Sequence, residues 1–162
     1  MSSDVFISTC DLYDEYLTRA RVPSTVLTHF GGCKRFSGFA TTIKCFEDNS
    51  RVRELAQTPG GGKIMVVDGG GSYQCALVGD VIAGMACDNG WEGIVIFGCV
   101  RDSSELAKLD IGLMALATTP RKSVREGVGE VDSPIMFGDT ACNPGDRVFA
   151  DEDGVLLLDN DD

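Results

Sequence analysis

Residues 97–105 read FGCVRDSSE: an apolar run, GIVIFGCV at 93–100, ends on Arg101 and Asp102, and Glu105 follows three residues later. The guanidinium of Arg101 is a planar fork suited to a carboxylate. Asp102 and Glu105 supply hard oxygens of the kind that hold Mg²⁺ or Mn²⁺ together with several waters. Upstream, Gly79 and Asp80 open an apolar, helix-like stretch that includes Val81 and Ile82. The unpaired amides at such a helix start attract an anion. The geometry of the chain joins the two places. A helix over 81–89 rises about 14 Å, the turn DNGWEG reverses the direction, and strand residues 94–97 return about 13 Å. The start of that helix and the end of that strand then share one edge of the domain, where a pocket could hold a small carboxylate and a divalent cation. The same residues admit a plainer reading, in which Ser103 or Asp102 caps a short helix and Arg101 and Asp102 form a surface pair.

The elements that must carry these residues follow from periodicity and breakers. Ser8-Thr9 can cap an N-terminal helix over about 8–20, with Leu12, Tyr16 and Leu17 on one face and Pro23 beyond its end. A β-branched stretch at 38–46 predicts a strand, SRVRELAQT (50–58) a short helix closed by Pro59 and glycines, and KIMVVD (63–68) a buried strand. YQCALVGDVIAGMACDNG is apolar on nearly every side and reads as a buried helix, interrupted or restarted at Gly79-Asp80. Strand 93–100, a helix over 103–110, the strand LMALATTP, the loop RKSVREGVGEVDSP and the strand IMF come next. A turn at 143–146 then precedes a strand pair over 147–158, turning at Asp153-Gly154. No repeat, low-complexity linker or composition break divides the 162 residues, so the pattern predicts one α/β domain with a single core.

Composition excludes several functions. The net charge of −11 repels a phosphate backbone, which disfavours direct nucleic-acid binding and suits divalent cations or a basic protein partner. No apolar run approaches the roughly 20 residues of a membrane span, and the N-terminus lacks the basic region of a signal peptide. Seven cysteines without a C-x-x-C pair predict reduced thiols, most of them buried, and a cytoplasmic protein. The only histidine, His29, lies between hydrophobic neighbours and reads as a packed side chain, which leaves no zinc site. The turn DGGGS (68–72) lacks a phosphate-loop pattern and reads as close packing near the pocket. Trp91 reads as packed, the acidic tail 159–162 as solvated. PRKSVRE (120–126) is the only basic cluster, either a solvated loop or an arm reaching an acidic surface in an oligomer.

Four stretches, VVDGGGSYQCALVGD, NGWEGIVIFGCVRD, DIGLMALATTPRKS and PGDRVFADEDGV, together resemble the RraA family. It comprises proteins named as regulators of RNase E activity and the class II 4-hydroxy-4-methyl-2-oxoglutarate aldolases. The resemblance covers about residues 30 to 158, and its most specific element is Asp80 followed, after twenty residues, by Arg101-Asp102. It implies a single-domain swivelling β/β/α fold, a homotrimer with sites between subunits, and a site for a pyruvate-like substrate. Carried over by position, substrate contacts fall on Gly79, Asp80, Val81, Ile82 and Arg101, the catalytic pair is Arg101 and Asp102, and Asp102 ligates Mg²⁺ or Mn²⁺. Asp80 and Glu105 are expected to stand behind them, orienting the groups that touch metal and substrate. The implied activity is that of a metal-dependent lyase on 2-oxo acids, retro-aldol cleavage to pyruvate with oxaloacetate decarboxylation beside it. The alternative is a non-catalytic regulator that binds a basic RNA-processing ribonuclease or helicase. The chain ends soon after GVLLLDNDD, so a catalytic group that longer aldolases take from a C-terminal extension is expected to be missing or replaced. The proton carrier stays open between a water on the metal and a Lys122 or Glu130 from a neighbouring subunit.

Overall fold

The structure, a computed structural model, describes residues 5–160. It opens with helix α1 (Thr9–Glu15), capped by the Ser8 side chain, which accepts from the Asp11 amide. Strands β1 (Thr28–His29) and β2 (Phe36–Lys44) follow, then helix α2 (Ser50–Ala56) and strands β3 (Ile64–Asp68) and β4 (Ala76–Val78). Helix α3 (Asp80–Asp88) leads to β5 (Gly93–Phe97), β6 (Cys99–Val100) and the single-turn helix α4 (Ser103–Leu106). The chain continues through β7 (Gly112–Ala115), β8 (Ala117–Thr118), β9 (Glu130–Val131), β10 (Ile135–Phe137) and β11 (Thr140–Cys142), and closes with β12 (Arg147–Asp151) and β13 (Gly154–Leu158).

The large sheet runs β1-β7-β5-β3-β2-β12-β13, with β9 added beside β2. Its centre is parallel: Thr42 pairs with Val66, Val66 with Val95, and Val95 with Met114. Strands β3, β5 and β7 are near-continuous apolar runs because both faces are covered. Successive side chains alternate between two cores. Met65, Val67, Ile94, Ile96 and Leu113 pack beneath α2 and α3, whereas Ile64, Val66, Val95 and Met114 pack with Phe36, Phe137 and Val148 inside the curl of the sheet. The curl is tight enough that His29 on β1 lies 2.6 Å, through Nε2, from the carbonyl oxygen of Asp151 on β12, near the opposite end of the strand order. This is the single-domain mixed α/β architecture expected from the resemblance.

Three strands of the large sheet hand the chain on to a second, smaller one. After β3, β5 and β7 the backbone leaves through the glycine turn 69–71, through Gly98 and through Leu116, and resumes as the parallel sheet β4-β6-β8. Parallel strands that start together also stop together, so their C-terminal ends, Val78, Val100 and Thr118, form one rim. The turn needs its glycines: Gly70 and Gly71 have φ of +68° and +71°, and a Cβ at Gly69 would lie 2.7 Å from the Phe97 carbonyl oxygen.

Several expectations change. The first part of 73–90 is strand β4, not helix, because residues 76–78 pair with Cys99-Val100 and only the stretch after Gly79 is free to coil. The expected strand 93–100 is cut in two at Gly98, and helix 103–110 shrinks to one turn. The N-terminal helix stops at Glu15, where the amides of Arg19 and Ala20 both turn back onto the Tyr16 carbonyl; Arg21 can then exchange backbone hydrogen bonds with Leu157. The 147–158 hairpin pairs Asp151 with Gly154, which places its two-residue turn at Glu152-Asp153. Of the tail, Asp159 accepts from Arg21 at 2.9 Å, while residues 161 and 162 lie outside the described residues.

Candidate active site

The rim of the small sheet gathers the residues singled out from the sequence. Gly79 follows β4, Arg101 follows β6, and α3 begins at Asp80. No side chain caps α3 from within its own first turn. Instead Asp102 reaches across from the end of β6, and its Oδ2 accepts from the Asp80 amide at 3.2 Å. Although Asp102 occupies the N-cap position of α4, its side chain makes no capping bond there and its backbone is left-handed, with φ 60° and ψ 41°. Such a conformation is uncommon outside glycine and is tolerated by Asp. The plainer reading of Asp102 as a local cap therefore fails; its carboxylate serves the start of another helix. Gly79 permits the approach, since a Cβ there would lie 2.7 Å from Asp102 Oδ2. Beyond Asp80, the helix start leaves the amides of Val81 and Ile82 without intrahelical acceptors. The Arg101 Nε stands 4.0 Å from Asp102 Oδ2, a loose pair with side chains 40% and 39% exposed, and an Nη donates weakly to the Pro120 carbonyl at 3.5 Å.

The opposite wall comes from two segments, of which the sequence offered only Lys122 to the site, and that from a neighbouring subunit; here Lys122 lines the recess of its own chain. After β8 the chain returns beside β4: the Ala76 amide donates to the Arg121 carbonyl at 2.7 Å, and Lys122 bridges Ala76 in parallel. Lys122, Ser123 and Arg125 line the recess with Asn49. Asn49 Nδ2 donates to the Leu77 carbonyl at 3.0 Å and Oδ1 accepts from Arg125 Nε at 3.1 Å. Asp48, 3% exposed, ties this arm down: it accepts from the Ser50 amide and hydroxyl and from the amides of Glu126 and Val128. Burial pushes the Asp48 carboxyl up, but these bonds from Ser50, Glu126 and Val128 outweigh it and hold the pKa at about 2. The basic cluster at 120–126 is thus a wall of the recess within the same chain. Its position was hidden because the partner that holds it, the EDNS stretch at 47–50, is distant in sequence.

Of the expected residues, Gly79, Asp80, Val81, Ile82, Arg101 and Asp102 share this recess. Glu105 does not line it; its carboxylate accepts from Lys108 at 3.2 Å, one turn along its own surface. Glu130 lies on β9 by a different hollow, and His29 is held in the large sheet. Trp91 is buried, donating to the Thr58 carbonyl. All seven cysteines are free; burial pushes Cys45 and Cys142 up to about 12, which makes them inert at neutral pH.

The recess is small, about 50 Å³, well below the roughly 300 Å³ at which drug-sized pockets begin. Larger, more open hollows of about 480 and 460 Å³ lie beneath α1 and beside β9, but neither gathers cations around a helix start. The recess fits a small anion better than a nucleoside cofactor. Among the described residues no three His, Cys, Asp or Glu side chains cluster as a metal site. The available donor set is one half-exposed carboxylate, Asp102, with Asp80 in the same recess. That set fits Mg²⁺ or Mn²⁺, which keep most of their waters and complete their shell with substrate oxygens, and it does not fit a four-ligand zinc centre.

The chain is similar to several known proteins. A family model described as RraA-like, Aldolase/RraA, matches residues 8–157. A protein of Alkalilimnicola ehrlichii, provisionally named a 4-hydroxy-4-methyl-2-oxoglutarate aldolase, is 48% identical over 154 residues, covering 95% of this chain and 96% of its own. One of the same provisional name from Laribacter hongkongensis is 51% identical over 148 residues, with 91% and 93% covered. The solved structure of the RNA-processing inhibitor RraA from Thermus thermophilus superposes with a TM-score of 0.91 at 45% identity, covering 95% and 93%. A Geobacillus kaustophilus structure described as an S-adenosylmethionine:2-dimethylmenaquinone methyltransferase superposes at 0.93 with 42% identity, covering 96% of each chain.

Proposed function

The chain belongs to the RraA-like family, and from that premise we propose that it is a divalent-metal-dependent carbon–carbon lyase acting on 2-oxo acids. Its reactions are retro-aldol cleavage of 4-hydroxy-4-methyl-2-oxoglutarate to pyruvate and decarboxylation of oxaloacetate. The observation that carries the proposal is the Asp102 carboxylate, turned away from its own helix and held, half-exposed, at the mouth of α3 beside the loosely paired Arg101.

Arg101 and the amides of Val81 and Ile82 converge on one anion, and they orient the 1-carboxylate of a 2-oxo acid there. Asp102 would hold Mg²⁺ or Mn²⁺, which when bound supplies Lewis-acid stabilisation to charge on the 2-keto oxygen. In the retro-aldol reaction the C4 hydroxyl gives up its proton to a base as C4 leaves as the keto carbon of a second pyruvate, and in the decarboxylation C4 leaves as CO2. In both the C3–C4 bond breaks, and its electron pair passes to C3 and the keto oxygen as an enolate. Arg101 places a fixed positive charge beside that developing oxyanion. A proton then returns to C3 and pyruvate leaves. The hydrogen bond from the Asp80 amide fixes the direction of the Asp102 carboxylate, so the site does not reorganise during the step.

The charge balance and the likeness to a solved RNA-processing inhibitor support a second reading, a regulator that docks on a basic RNA-processing enzyme without touching RNA. We also propose a cytoplasmic homotrimer, in which exposed apolar side chains such as Phe46, Tyr73 and Val128 are covered by neighbouring subunits. The deciding experiment measures pyruvate release from oxaloacetate and from 4-hydroxy-4-methyl-2-oxoglutarate with Mg²⁺ or Mn²⁺, then with EDTA, for the wild type and Asp102→Ala. Turnover that needs metal and is lost in the variant supports the lyase. Turnover that survives both treatments overturns the metal role, and a folded wild type that is silent on both substrates moves the function to the regulator.

A further inference from the structure

Binding a 2-oxo acid by its first carboxylate uses Arg101 and the start of α3, and leaves the opposite wall unexplained. Three cations, Arg101, Lys122 and Arg125, face two carboxylates, Asp80 and Asp102, around the recess of a chain whose net charge is −11. Among the described residues neither Lys122 nor Arg125 has a carboxylate partner. Arg125 spends only its Nε, on Asn49, which sets the plane of the guanidinium and leaves both Nη groups for another acceptor. Ser123 between them is 7% exposed, and its Oγ has no hydrogen-bond partner although it is buried. A buried hydroxyl left unbonded is costly unless something else satisfies it.

The arm is also built to stay in place. Its start bridges β4 through Ala76, its middle exchanges backbone bonds with the 47–49 segment, and its end is held by Asp48 through the amides of Glu126 and Val128. A solvated basic loop has no need of a buried carboxylate beneath it.

We propose that Lys122, Ser123 and Arg125 form a second anion subsite, which takes the distal carboxylate of a 2-oxo acid carrying two carboxylates. The subsite rests on the reading of Arg101 and the α3 start as the seat of the first carboxylate, and it adds the residues that hold the second: dicarboxylic 2-oxo acids, such as the two proposed substrates, bind across the recess, and monocarboxylic ones fill half of it. Two donors of opposite walls then pull on the two ends of the substrate, with the scissile C3–C4 bond between them.

The test separates the two halves of the recess. Pyruvate binding, and Mg²⁺-dependent exchange of the pyruvate C3 hydrogens with solvent deuterium, report on the inner half alone. Binding of 2-oxoglutarate, a dicarboxylate with no hydroxyl to support cleavage, reports on both. Each is measured on the full chain for the wild type, Lys122→Ala, Arg125→Gln and the conservative Lys122→Arg, with thermal unfolding to confirm folding. The wild type is expected to bind 2-oxoglutarate about tenfold or more tightly than pyruvate. Lys122→Ala and Arg125→Gln should erase most of that preference and raise the KM for oxaloacetate, with pyruvate affinity within about twofold and Lys122→Arg restoring the preference. Equal affinity of the wild type for the two acids, or a loss in the variants that strikes pyruvate as hard as 2-oxoglutarate, overturns the subsite. Failure of the lyase reading shows separately, as absent cleavage and exchange in the wild type; a preference for 2-oxoglutarate that depends on Lys122 would still uphold the subsite in that case.

Discussion

Two Arg–Asp pairs in this molecule share residue types and have opposite fates. Near the chain ends, Arg21 donates to Asp146 and to Asp159, each at 2.9 Å, and to the Ala141 carbonyl; Asp146 is 4% exposed and also accepts from the Asn143 amide. On the rim of the small sheet, Arg101 and Asp102 stand 4.0 Å apart, half in solvent, with most of their hydrogen-bonding capacity unspent. The first is closed: both Nη groups of Arg21 and the buried Asp146 carboxylate face other groups of the same chain, and the pair ties β12 and the β11–β12 turn to the segment after α1. The second is open, so its charges remain available to something that the chain does not contain. Satisfied charges hold a fold together, and unsatisfied ones at a strand end stay free to meet a ligand.

The sharpest way to break this comparison is to remove one acid from each pair. Asp102→Ala should lower pyruvate release by about 10²–10³-fold or more, with unfolding free energy within about 0.5 kcal/mol of wild type. Asp146→Ala should do the reverse, costing about 3 kcal/mol in chemical denaturation because Arg21 is left partly uncompensated, while the folded fraction keeps its turnover. If Asp102→Ala proves the more destabilising of the two, the distinction between open and closed pairs is wrong. Arg101→Lys comes next: it keeps the charge and loses the fork, so steady-state kinetics should show a drop of about tenfold to a hundredfold in kcat/KM at unchanged stability.

Asp48 sharpens the comparison from the other side, as a closed acid that serves the open site. Its folded pKa of about 2 lies below its ordinary value near 3.8, so the ionised form is the one stabilised by folding. That contribution is complete above about pH 4 and is lost as the pH falls toward 2. Asp48→Asn should cost about 1–3 kcal/mol at neutral pH and flatten the acid limb of a stability–pH profile. Smallest of all, Glu105→Gln should leave turnover within about twofold and stability within about 0.5 kcal/mol, since Glu105 meets only Lys108 on the surface.

The inner half of the candidate site was legible in the sequence. Apolar run length located β3 and β5, the glycine before Asp80 marked the helix start, and counting rises along helix and strand brought Asp80 and Asp102 to one edge, where their contact is 3.2 Å. What misled was apolarity without period: residues 76–78 and 81–87 are equally hydrophobic, and only pairing with Cys99-Val100 makes the first a strand. Glu105 misled for a related reason. Its proximity in sequence to Asp102 says nothing once the backbone turns left-handed at φ 60° and sends α4 away from the rim.

The sequence by itself determined which strands end in charge, because buried apolar runs, glycine breaks and the residues that follow them are local properties. Tertiary structure decided which of those charges remain open. Arg21 is closed and Arg101 is not because the fold brings Asp146 and Asp159 to one of them and leaves the other partly in solvent, with a loose contact to Asp102 and a long bond to the Pro120 carbonyl. The return of the 121–125 arm beside β4, anchored on Asp48, was likewise decided by long-range pairing, since a backbone bond between Ala76 and Arg121 has no signature in either segment alone.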